Sequence, residues 1–211
     1  MPPRELAIGI DIGTTGVKAV LIHRDGRMLA SETEAHDLHS PHAGWAEENP
    51  ADWWQGALAS LAAVARHPEC GQGRVAAIGV SGMVPAMVLL DARGEPVRPS
   101  IQQNDARAVA EVAELTGRLD QESLFARTGG FTNQQQIAPR LRWVQRHEPQ
   151  AWRRTRTILG SYDYVTALLA GEAPASYSLE LNWAIESGLY DLRERRWLPD
   201  LLAAVKLNES Y

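Results

Sequence analysis

Residues 8 to 21 read IGIDIGTTGVKAVL, an apolar run broken by one carboxylate, Asp11, and by the turn Gly13-Thr14-Thr15-Gly16. Just upstream, Leu6, Ile8 and Ile10 alternate with Ala7, Gly9 and Asp11, the two-residue period of a strand. Val17 to His23 reads as a second strand, and Arg24-Asp25-Gly26-Arg27 is a hairpin turn leading to a third near Met28 to Glu34. The stretch therefore predicts three antiparallel strands at the N-terminus. Gly9 clears side-chain bulk from beside Asp11. Two readings of that carboxylate stand. Asp11 closes the strand and shapes a hairpin, or it faces a metal-bound phosphate while the turn's amides and hydroxyls cradle the anion. A carboxylate would repel bare phosphate, so the second reading requires a divalent cation or its bound waters. The segment is neither a P-loop, since no Gly-Lys-Ser/Thr follows, nor the dinucleotide glycine fingerprint. Lys18 reads as a solvated strand residue.

Beyond the meander, Asn49 suits a helix N-cap, Pro50 the first helical position and Asp52 the first turn. Trp54, Leu58, Leu61 and Ala65 then recur at helical spacing until Pro68. Val75 to Ser81 reads as a short buried strand, and Met87 to Asp91 as another entering the turn Asp91-Ala-Arg-Gly94. Asp105 to Thr116 is helical in pattern, with Asp105 as N-cap and Gly117 as C-terminal cap. A helix is expected over residues 139 to 147, a brief strand at Thr157 to Gly160, and a helix from Tyr162 to Ala170. A strand pair containing Gly188 to Asp191 and a helix near Leu198 to Val205 finish the chain. With no repeat, low-complexity tract or linker, residues 1–211 read as one α/β domain with a mixed sheet and flanking helices.

The 211 residues are 45% hydrophobic, enough to fill a core, and carry a net charge of −5 with no basic block. That argues against a nucleic-acid surface or a polybasic membrane patch. The opening MPPRELAIGID has no leader-like apolar core, and no apolar run reaches the ~18 residues of a membrane span. Cys70 is the single cysteine, without a disulfide partner or metal-ligand spacing. A cytoplasmic protein is expected.

The run D-I-G-T-T-G-V-K-A (11 to 19), followed by its hairpin, resembles the first phosphate motif of the FGGY carbohydrate kinases, which share the actin and hexokinase (ribonuclease H-like) type of fold. WAEENPADWWQ (45 to 55) is similar to that family's W-x-E-x-x-P-x-x-W-W stretch. Residues 75 to 99 are similar to a strand-turn-strand of the xylulokinases. NDAR (104 to 107), APRLRWVQRHEP (138 to 149), YDYVTALLAGE (162 to 172) and NWAIESGLYDLRERRW (182 to 197) follow in the family's order. The resemblance implies ATP and Mg2+ as cofactors and a small sugar or polyol as substrate. It places Asp11 on the magnesium-bound phosphates, Gly13, Thr14 and Thr15 in the phosphate cradle, and Asp105 and Arg107 near the sugar. An acidic residue accepts the sugar hydroxyl's proton in such transfers.

The sequence departs from that pattern at several places. Val84-Pro85 stands where xylulokinases carry Met-His, and Gln103 where they carry tryptophan; both are sugar-contacting positions. The catalytic-base position falls on Glu180 when counted back from Gly188, which is the reading favoured here, and on Ser176 when counted forward from Gly171. Family members also carry a second, comparably long ATP-binding domain. The sequence is thus expected to be the N-terminal, sugar-binding half of a kinase, not competent alone: either a fragment or truncated gene product, or a half that works with a separately encoded C-terminal domain or as a homodimer. The competing expectation is a non-catalytic sugar-binding or regulatory module of the same fold.

Overall fold

The computed structural model describes residues 4–207. The first residues of the expected leader-free start and the final Asn208 to Tyr211 lie outside them. Strands β1 (Arg4–Ile12), β2 (Gly16–His23) and β3 (Met28–Ala35) form the expected meander, each antiparallel to the next. Alternation sends Leu6, Ile8, Ile10 and Ile12 inward with Val17, Ala19 and Leu21. Asp11 and Lys18 therefore lie on the opposite, exposed face, paired in register with each other.

A two-residue strand, β4 (Glu47–Glu48), precedes helix α1 (Pro50–Ala65), whose first turn Asn49 caps by accepting from the Ala51 amide at 3.2 Å. The buried face of α1 is Trp53, Ala57, Ser60 and Val64, one residue round from the expected stripe. Close approach decides this. A Cβ at Gly56 would stand 3.1 Å from Val17 Cγ2, so the helix lies on the meander through its small residues. Leu58 is left exposed and Trp54 at the flank.

After helix α2 (Pro68–Gln72), strand β5 (Gly73–Gly82) runs parallel to β1 and completes the sheet β3-β2-β1-β5. The expectation of a buried strand fails here. β5 is a sheet edge with no strand beyond it among the described residues, and Val75 and Ile78 are 39% and 45% exposed. Strand β6 (Val88–Leu90) is fully buried, and β7 (Ser100–Ile101) pairs with β4.

Helix α3 (Val109–Arg118) starts four residues later than expected and runs through Gly117 to a cap at Leu119. Asp105 is not its N-cap, because that carboxylate is committed elsewhere. Helices α4 (Gln121–Thr128) and α5 (Ile137–His147) follow, the latter taking Pro139 at its third position, where a missing N–H costs nothing. Then come α6 (Pro149–Arg154), β8 (Thr157–Leu159, antiparallel to β6) and α7 (Ser161–Ala170), closed by Gly171 at φ +66°. Helix α8 (Leu181–Glu186), the expected strand pair β9 (Tyr190–Asp191) and β10 (Arg196–Trp197), and α9 (Pro199–Ala204) end the described chain. Helices α1 and α7 pack on one face of the sheet. No helix among the described residues is long and apolar enough to cross a membrane.

Candidate active site

Parallel pairing of β1 with β5 sets Asp11 beside Ser81, whose hydroxyl donates to Asp11 Oδ1 at 2.7 Å. Asp11 and Lys18 line a recess over the uncovered side of the sheet, together with Gly9, Val20 and Gly79. The two glycines are register partners across β1 and β5. Behind Asp11 the turn is cinched by the Gly13 amide donating to the Gly16 carbonyl at 3.0 Å. Close approach, not positive φ, makes these positions glycine. A Cβ at Gly16 would stand 2.6 Å from the Glu34 carbonyl oxygen. Thr14 is half-buried and Thr15 exposed, while the Gly13 amide is already bonded within the turn. Asp11, one carboxylate beside hydroxyls, suits Mg2+, which keeps several waters and takes few protein ligands when phosphates supply the rest.

A buried pair backs this turn. The His36 amide donates to the Thr15 carbonyl, and His36 Nδ1 lies 3.8 Å from Glu48 Oε2, which accepts from Trp53 Nε1 at 2.7 Å. Burial pushes the Glu48 carboxyl up to about 7, against the Trp53 bond. Burial also lowers His36, opposed by the Gly13 backbone and by Asp52 and Asp37.

A second recess shares Val80 and Ser81 with the first and continues along Gly82, Val84, Tyr162, Glu180 and Asn182. Glu180 stands exposed at its rim, capping α8 by accepting from the Asn182 amide at 2.7 Å and receiving the Tyr162 hydroxyl at 3.3 Å. The Glu180 amide donates to Asp163, whose carboxyl burial pushes up to about 6. Burial raises Tyr162 as well, helped by the charges of Asp163 and Glu180. Ser176 ends a short 3-10 turn and is exposed outside both recesses.

Asp105 and Arg107 lie inside the protein, with neither side chain exposed. Asp105 accepts from the Ala46 amide at 2.6 Å and from Arg107 through both carboxylate oxygens. Arg107 also pairs with Glu47 at 2.7 Å and stacks on Trp45, 3.8 Å from the ring centroid. The geometry gives these two a fastening role between the β4 and β7 loops, without direct access to a sugar. Gln103 is half-buried and Pro85 buried behind Val84. The residues that sequence reasoning missed are Ser81, Tyr162 and Asn182. Only Ser81 carried a signal, as a hydroxyl closing the apolar run of β5.

A strand-end carboxylate over a glycine-cinched turn, at the open side of such a mixed sheet, fits an α/β domain of the actin and hexokinase fold class. The chain belongs to the FGGY family of carbohydrate kinases, whose N-terminal domain model matches residues 6–211. It is 33% identical over 203 residues to the xylulose kinase of Escherichia coli strain K12, covering 96% of this chain and 40% of that protein. The crystal structure of xylulose kinase from Rhodospirillum rubrum superposes with a TM-score of 0.92 at 43% identity, covering 97% of this chain and 42% of that one. The crystal structure of a xyloylose kinase from Brucella ovis gives 0.89 at 32%, covering 97% of this chain and 41% of that one. The chain thus spans about 40% of the length of the curated relatives it matches.

Proposed function

We propose that this chain is the sugar-binding half of an ATP-dependent carbohydrate kinase acting on a ketopentose or pentitol hydroxyl. The observation that carries the reading is the continuity of the two recesses. Through Ser81, the phosphate-side carboxylate Asp11 adjoins a pocket edged by Val84, Tyr162 and Glu180. Magnesium, when bound, would neutralise phosphate charge. The chain's own residues do the remainder. Asp11 would hold the cation, the 13–15 turn would orient the phosphates, and Glu180 would take the sugar hydroxyl's proton at its carboxylate. On the family resemblance Val84-Pro85 and Gln103 belong to the sugar wall, and of these Val84 lines the recess. The rest of the ATP site comes from a second domain, in the same polypeptide or a separate one, and the exposed edge of β5 offers it a place to pair. A cytoplasmic setting accords with the unpaired Cys70.

Coupled ADP release tests the reading. The chain alone is expected to show no turnover on a panel of ketopentoses and pentitols, because alignment across a two-domain cleft supplies most of the rate. Joined in frame to the C-terminal part of the Rhodospirillum rubrum enzyme, it is expected to release ADP only when sugar is present. Robust turnover by the chain alone, or a folded chimaera without sugar-dependent turnover, would overturn it.

A further inference from the structure

Arg140 has no exposed surface, yet among the described residues no carboxylate accepts from it. Its three bonds all go to backbone carbonyls of separate segments. Nη1 donates to Pro85 at 2.9 Å, Nη2 to Gln103 at 2.8 Å and Nε to Gln134 at 3.2 Å. Burying a guanidinium is costly, and its protonated form is pressed down to about 10 by that burial, with the charge of Asp105 opposing. A cation placed at such cost on carbonyls fixes main chain, because a planar fork can hold several acceptors at set angles. The turn it holds is fastened from two other helices as well. Ser161 Oγ of α7 donates to the Met83 carbonyl at 3.1 Å, and Trp183 Nε1 of α8 to that of Ala86 at 2.7 Å. Of these three donors, Arg140 alone also reaches the Gln103 segment.

We propose that Arg140 is a specificity-determining positioning residue: it sets the separation of the Val84-Pro85 wall from the Gln103 wall, and thereby which sugar the recess accepts. This rests on the proposed function's reading of those two segments as the sugar's walls; of their residues Val84 lines the recess, Pro85 is buried and Gln103 is half-buried. The three fastenings leave Val84 facing the recess on a main chain that cannot shift toward or away from Gln103 while the guanidinium bridges them. Lysine, a point charge on a flexible stem, would keep the buried charge but not the fixed span.

The test uses Arg140→Met and Arg140→Lys in the present chain, with amide hydrogen exchange and calorimetric titration of D-xylulose, D-ribulose and xylitol. In Arg140→Met, peptides covering 83–87 and 102–106 are expected to exchange about tenfold faster while the β1–β3 meander is unchanged. The affinity ratio among the sugars is expected to fall toward one. Arg140→Lys should recover folding and part of the local protection, but not the ratio, and it decides the matter if the methionine variant does not fold. Unchanged exchange in both peptides, a uniform rise across the whole sheet, or local loosening with an unaltered sugar ratio would each overturn the proposal. If the unaltered chain binds none of the three sugars, the sugar reading itself fails. The exchange data then still report whether Arg140 joins the two segments.

Discussion

Asp105 illustrates how one side chain can look like a helix cap or a ligand contact and be neither. Its carboxylate joins the Ala46 amide to the Arg107 guanidinium, and Arg107 in turn holds Glu47 and lies on Trp45. Removing one partner of a buried pair costs about 3–5 kcal/mol, against roughly 1 kcal/mol for a lost cap. Asp105→Ala should therefore lower the melting temperature by about 10 °C. A thermal melt showing a loss near 2 °C would return the residue to the cap reading. Asp11 is the opposite case. It is exposed, and its bond from Ser81 survives in asparagine, so Asp11→Asn should change stability by less than about 0.5 kcal/mol. In the chimaera the same change is expected to cut kcat by about a hundredfold or more, with KM nearly constant, as for an interaction made chiefly in the transition state. Steady-state kinetics with near-normal kcat would leave Asp11 a hairpin residue.

Between β3 and α1 the chain buries Glu48 and His36 against the back of the Gly13–Gly16 turn. Glu48 is held near 7 in the folded protein, above its ordinary 4.5, so the folded state keeps a proton that the unfolded chain releases. Stability from this group is accordingly lost as pH rises from about 4.5 to 7. His36, lowered by burial, acts the other way and loses stability as pH falls below 6.5. Denaturant melts should show Glu48→Gln equal to the parent near pH 4 and more stable by about 2–3 kcal/mol at pH 8, since glutamine can still accept from Trp53. A difference independent of pH would contradict this. The elements themselves were legible to differing degrees. The meander was readable because its alternation and turns are local. The face of α1 was missed by one residue because Gly56 against Val17 is a contact between elements. Helix α3 was misplaced because Asp105 looked locally like a cap while its partner Ala46 lies 59 residues away.

At the scale of the molecule, the motifs in their order marked the fold, and the Asp11 turn marks one end of the proposed site. Arg140 was illegible as a clamp, since its acceptors Pro85 and Gln103 lie 55 and 37 residues away and contribute only carbonyls, which no side-chain pattern reports. Strand β5 was read as buried because its composition is that of a central strand. That composition and its exposed edge together fit a sheet completed by more polypeptide. The central claim, that this domain carries the sugar half of a kinase site, has a direct measurement. Calorimetric titration of the folded chain with a panel of ketopentoses and pentitols should find at least one ligand binding one to one, with a dissociation constant on the order of 1 mM. A chain that melts cooperatively yet binds none of them up to concentrations well above that value would contradict the account.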